Sequence, residues 1–110
     1  MSLFGVDSEW ASDDITVIYK VRVVYSQKKS RDVKRKHGFD LEEAQEVFDQ
    51  VYMVDQRSDD PEQFRAIGWS RSGLCSVIFE IRHDAQGECY RLITAWKATK
   101  EEERSYAENI

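Results

Sequence analysis

Two cysteines, one proline and five glycines are all that 110 residues contain of these types. No apolar run approaches the ~20 residues that a membrane-crossing helix needs. The N-terminus has no basic segment followed by an apolar one, so neither a membrane span nor a secretory signal is expected, and the cytoplasm is the expected compartment. Cys75 and Cys89 are not a CxxC pair and have no second set of ligands near them in sequence, so no metal site and no cofactor are expected. With a β-hairpin centred near Ala85, Cys75 would face Ala95 and Cys89 would face Ile81. The two thiols are then reduced and partly buried, and are not cross-strand neighbours. No internal repeat or low-complexity tract is present.

Charge, by contrast, is abundant and unevenly placed. Charged residues make up 34% of the chain and the net charge is −5. Between Lys20 and His37 there are eight Lys or Arg against a single acid, Asp32, while the remainder holds eight basic residues against twenty acidic ones. The fold should therefore carry one positive surface on an acidic body, attractive to phosphate backbones or to an acidic protein patch. A solvated helix face without a ligand is the competing explanation.

The length suits one domain with a single core. Residues 1–13 lack periodicity and are expected to form a poorly structured extension, with one α+β domain over 14–110. Ile15 to Tyr25 alternates as a strand. Ser26 can cap a cationic surface helix over Gln27–His37, with Val33 as its only buried anchor and Gly38 ending it. Asp40, with Glu43 three residues on, forms a capping box for a second helix, Leu41 to Asp49, whose Leu41, Ala44, Val47 and Phe48 share one side. Val51–Val54 is a short strand, Asp55–Glu62 a polar loop in which Pro61 blocks pairing, and the rest of the sheet an antiparallel meander: Phe64–Ser70, Leu74–Arg82 and Cys89–Lys97. Thr99 and Glu102 open a terminal helix from Lys100 to about Glu108.

Three groups of residues in this order carry a resemblance. They are Arg35-Lys36-His37-Gly38 with Leu41-Glu42-Glu43-Ala44 and Val47-Phe48; Ile67-Gly68 before a turn and Val77-Ile78-Phe79; and Tyr90-Arg91-Leu92-Ile93-Thr94-Ala95 with Lys97-Ala98-Thr99-Lys100, Glu102, Arg104 and Tyr106. Over residues 29 to 107 the chain resembles the BrnT family of bacterial type II toxins. The resemblance implies a RelE-like α+β fold, with an antiparallel sheet, two helices in the N-terminal half and one at the C-terminus. It also implies RNA cleavage and neutralisation by a ribbon-helix-helix antitoxin, with operator DNA bound only through that complex. A homodimer is left open. Family members typically carry arginine where Gln63, Trp96 and Glu103 stand here.

Metal-free RNA cleavage needs a base for the 2′-hydroxyl proton and cations for the charge that builds on phosphorus. His37 is the titrating group beside the basic cluster and, with Lys36, is a catalytic candidate. Arg82 and Arg91 match family positions and are candidates to hold a phosphate. Lys29, Lys34, Arg35, Arg65 and Lys97 are candidate RNA contacts, and Trp96 and Tyr106 offer surfaces on which a base can stack. Plainer roles compete: His37 as a helix-end hydrogen bond, Arg82 and Arg91 as surface bridges to Glu80, Glu88 or the terminal helix, Trp96 as core and Tyr106 as a helix anchor. The alternative to a nuclease is a non-catalytic module that binds RNA or the antitoxin.

Overall fold

A computed structural model describes residues 21–110. The extension expected over residues 1–13, and residues 15–20 of the first expected strand, lie outside the described residues. The described part of that strand pairs only as β1 (Val23–Val24). There follow α1 (Gln27–His37), α2 (Leu41–Ala44), a 3-10 turn (Gln45–Asp49), β2 (Tyr52–Asp59), β3 (Glu62–Ser70), β4 (Gly73–Asp84), β5 (Gly87–Lys97) and α3 (Lys100–Asn109).

The corner between the first two helices is built from local side-chain bonds. The Ser26 hydroxyl accepts from Lys29 N, and Gly38, at φ 83°, donates its N–H to Lys34 O. That left-handed conformation is inexpensive for glycine alone. Asp40 and Glu43 make the expected reciprocal capping box. Ser30 is a second buried residue of α1 beside Val33, because its hydroxyl accepts from Leu41 N at 3.0 Å and so ties α1 to the start of α2. The expected second helix splits into α2 and the tighter 3-10 turn, yet keeps Leu41, Ala44, Val47 and Phe48 buried as expected.

The five strands order as β1-β5-β4-β3-β2. β3, β4 and β5 form the expected antiparallel meander and β2 joins it antiparallel to β3, but β1 lies parallel to β5, with Val23 opposite Tyr90 and Val24 opposite Arg91, so the sheet is mixed. No short hairpin links these two strands, and their relative direction is free of turn geometry. The polar loop expected over Asp55–Glu62 is mostly strand. β2 runs on to Asp59, and Pro61 falls in the turn, where its missing N–H leaves no ladder bond unmade. Polar residues persist in β2 because it is an edge strand.

The β4–β5 register differs from the expected one. Cys75 faces Lys97 and Cys89 faces Arg82. The turn is centred between Ala85 and Gln86, and the pairing shifts from Ile78–Thr94 to Phe79–Leu92, leaving Ile93 as an extra residue in β5. The thiols still do not meet; both are free and buried. Burial pushes the Cys75 thiol up to about 11, so it stays protonated at neutral pH.

One sheet face holds the core. Val33, Phe39, Leu41, Ala44, Val47 and Phe48 pack on Ala66, Cys75, Val77, Phe79, Leu92 and Ala95. Gly68 lets the 3-10 turn come close: a Cβ there would stand 2.9 Å from Val47 Cγ1. By strand alternation Ile67, Ser76, Ile78, Glu80, Arg91 and Trp96 point to the opposite face, which α3 partly crosses.

Candidate nucleic-acid interface

Two positive regions result, one on each side of the sheet. The first is α1. Its Lys34 lies 3.6 Å from Glu43 and its Arg35 3.0 Å from Asp32, while His37 stands exposed on the last turn. Lys29 and Lys36, two helical turns apart and therefore on one side, line a groove of about 230 Å³ with Asp32, Val33, Ile93 and Thr94. The groove brings these two lysines to the outer edge of β5, beyond the point where β1 stops pairing.

The second region is the opposite sheet face. Glu80 lies directly across the ladder from Arg91. Gln63 Nε2 donates to Glu80 Oε2 at 2.9 Å, and Arg82 Nε donates to Oε1 at 3.1 Å. These two bonds, and the charges of Arg82 and Arg91, hold the Glu80 carboxyl below the usual glutamate range despite its partial desolvation. Arg91 itself is half-buried and has no carboxylate at ion-pair distance among the described residues. Arg82 thus does pair with Glu80, the plainer role considered for it.

The third feature of this face is the foot of α3. Glu102, nearly buried, accepts from Thr99 N, from Trp96 Nε1 and from Arg65 Nη1, the last at 3.1 Å. Arg65 also pairs with Asp55. Burial raises the Glu102 pKa, but the bonds from Thr99 and Trp96, the nearby Ser76 hydroxyl and the charge of Arg65 outweigh it and leave the net shift downward. A carboxyl lowered in the folded state stabilises it above the ordinary glutamate pKa, and that contribution is lost as pH falls through the folded value. Glu102→Gln is accordingly expected to remove about 1–3 kcal/mol at neutral pH. It should also flatten part of the loss of stability below pH ~4.3, as read from urea midpoints across an acid series. An acid limb identical to wild type would contradict this.

Of the sequence candidates, Arg82 and Arg91 share one face, and Lys29 and Lys36 share one groove. His37 and Lys36 are not brought to the arginines: α1 packs on the core face through Val33, whereas the arginines point away from it. Arg65 is bridged on both sides, and Trp96 is tied to Glu102 with Arg57 over its ring, 5.0 Å from the centroid. Lys97 is exposed and sits on the core-side face at the end of β5, while Tyr106 anchors α3 by donating to Val51 O at 3.1 Å. Two residues not singled out in the sequence as site residues belong here: Glu80 and Gln63. Alternation would have put Glu80 beside Arg82.

Among the described residues no three His, Cys, Asp or Glu side chains are grouped so as to hold a metal ion, and no helix is long and apolar enough to cross a membrane. Residues 25–102 match the family model described as ribonuclease toxin, BrnT, of type II toxin-antitoxin system. No curated protein matches the sequence.

Proposed function

Since the chain belongs to the BrnT family of ribonuclease toxins of type II toxin-antitoxin systems, we propose that it cleaves RNA without a metal ion, on the sheet face that carries Glu80, Arg82 and Arg91. The observation that carries this reading is the cross-strand pair Glu80–Arg91 with Arg82 bonded to the same carboxylate. Two guanidiniums can hold a phosphate through several charge-assisted bonds and offset the extra negative charge of the phosphorane. That is the charge a metal ion would otherwise supply.

Glu80 takes the 2′-hydroxyl proton. In the free protein its bonds to Gln63 and Arg82 make it a weak base. A bound phosphate competes for Arg82 and adds a negative charge nearby, and both effects raise the proton affinity of Glu80 when the substrate is in place. The 5′-oxygen leaves with a proton from water, which has access because Arg82 is half exposed.

RNA running off this face over the edge of β5 meets Lys29 and Lys36, then His37, Lys34 and Arg35 of α1, with Lys97 beside the path. These residues hold the backbone and do no chemistry in this reading. The antitoxin is a ribbon-helix-helix protein that covers the α1 surface and carries the complex to operator DNA, in the cytoplasm. Antitoxin-free protein should cleave a labelled RNA equally fast with and without EDTA, and His37→Ala should slow it only several-fold, through KM. Cleavage abolished by EDTA would overturn the metal-free reading, and a kcat collapse in His37→Ala would move the chemistry to α1.

A further inference from the structure

On the sheet face the arginines differ in whether their charge is already used. Arg65 is neutralised by Asp55 and Glu102, and Arg82 by Glu80. Arg57 and Arg91 have no carboxylate at ion-pair distance among the described residues.

Arg57 sits at a defect in the ladder. The β2–β3 register steps from Gln56–Phe64 to Ser58–Gln63, so Arg57 is the extra residue of a bulge. Its guanidinium reaches across the face from the edge strand to lie over Trp96 on β5. The indole is in turn fixed by its N–H to Glu102. A guanidinium held against a ring by the cation–π attraction keeps its in-plane N–H donors for something else. Nothing else among the described residues takes them, and Arg57 is exposed.

Trp96 and Arg91 lie on the same strand and face. They are five positions apart, one of them in the Ile93 bulge, so the backbones of Trp96 and Arg91 are about 13–17 Å apart along β5, with the Arg57 guanidinium over the Trp96 ring. The gap exceeds what one phosphate spans and matches a few nucleotides of extended strand.

We propose that Arg57, seated on Trp96, is a second phosphate-binding group for single-stranded RNA, a few nucleotides from the bond cleaved at Arg82 and Arg91. The assignment rests on the sheet-face reading of the cleavage site. It makes the sheet face a track with two charged points and an aromatic floor between the sheet edge and α3. Substrates long enough to reach Arg57 gain affinity from it. Shorter ones are blind to it.

The test uses the full chain, a fully 2′-O-methylated oligonucleotide of roughly ten nucleotides as an uncleavable probe, and a ribodinucleotide as a minimal substrate. Arg57→Ala should weaken binding of the longer probe about tenfold. It should lower the slope of log affinity against log salt by about 0.7, the loss of one phosphate contact on a single strand. Dinucleotide cleavage should be unchanged, and Arg57→Lys should restore the salt slope. Unchanged probe affinity and slope in Arg57→Ala, with both reduced in Arg91→Ala, would overturn the proposal and leave the cleavage site standing. So would a proportional loss of dinucleotide cleavage, which would mean that Arg57 acts at the bond itself. Arg91→Ala cleaving the dinucleotide at the wild-type rate would instead remove the cleavage-site reading, and with it the position given to Arg57.

Discussion

Arg91→Ala is expected to lower RNA cleavage by about 10²–10³-fold while unfolding at nearly the same urea concentration as the parent. The two halves of this expectation have separate grounds. Arg91 is half-buried but makes no ion pair among the described residues, so its removal leaves no partner stranded; its charge lowers the pKa of Glu80 only through space. Its neighbours in β5, Tyr90 and Leu92, supply the packing on the opposite face. What disappears is the guanidinium facing the point where charge develops on the phosphate. Glu80→Gln should show a loss of about 10²–10⁴-fold, because the amide keeps the shape and the Gln63 contact but cannot take a proton. Single-turnover cleavage of a labelled RNA measures both, and expression without the antitoxin gives the cellular counterpart: growth arrest by the parent and growth with either variant. If the parent itself is harmless and leaves RNA intact while folded, the chain binds without cutting.

The largest effect on stability is expected from Phe79→Ala, a loss of about 3–5 kcal/mol. Phe79 is 1% exposed and sits at the centre of a ring cluster, with centroids 4.4 Å from Tyr90, 5.4 Å from Phe48 and 5.7 Å from Phe64. Those partners come from β5, the 3-10 turn and β3, so one truncation opens a void where three elements meet. A domain of this size has only about 5–15 kcal/mol in total. The variant should therefore show a large fall in the urea midpoint at similar slope, and Phe79→Leu a fall of under ~1.5 kcal/mol if the site repacks. A midpoint for Phe79→Ala within experimental error of the parent would mean that the rings are not the centre of the core.

Much of this could be read from the chain where the determining interactions are local. The α1 corner is set by Ser26, Gly38, Asp40 and Glu43, each bonding within four residues of itself, and the α3 start is set the same way by Thr99 and Glu102. The strands from Phe64 to Lys97 follow from apolar runs cut by turn residues at Arg71-Ser72-Gly73 and around Gly87. What was hidden depends on pairing between distant segments. The extra residue at Ile93 shifts the β4–β5 register, and nothing in Leu92-Ile93-Thr94 marks it. Likewise, the choice of sheet face for α1 separates His37 from Arg91, and that choice is made by packing of Val33 and Phe39 on strands dozens of residues away. Glu102 looks like a capping residue in sequence and is one, but it also bonds Arg65 and Trp96, two expected RNA contacts, and ties them to the foot of α3.

The bulge at Arg57 has a second consequence, for solubility. Among the described residues β2 is the outer strand of the sheet, and an eight-residue edge strand could recruit the same strand of another molecule and begin an aggregate. Val51 and Val54, both exposed, would favour such pairing at one end. Beyond them the free edge kinks at the bulge and carries Asp55, Arg57 and Asp59, so a straight, in-register neighbour would lose bonds at the kink and set like charges against each other. A toxin apart from its antitoxin has its binding surfaces uncovered, and this irregular edge is one with which a second copy would pair poorly.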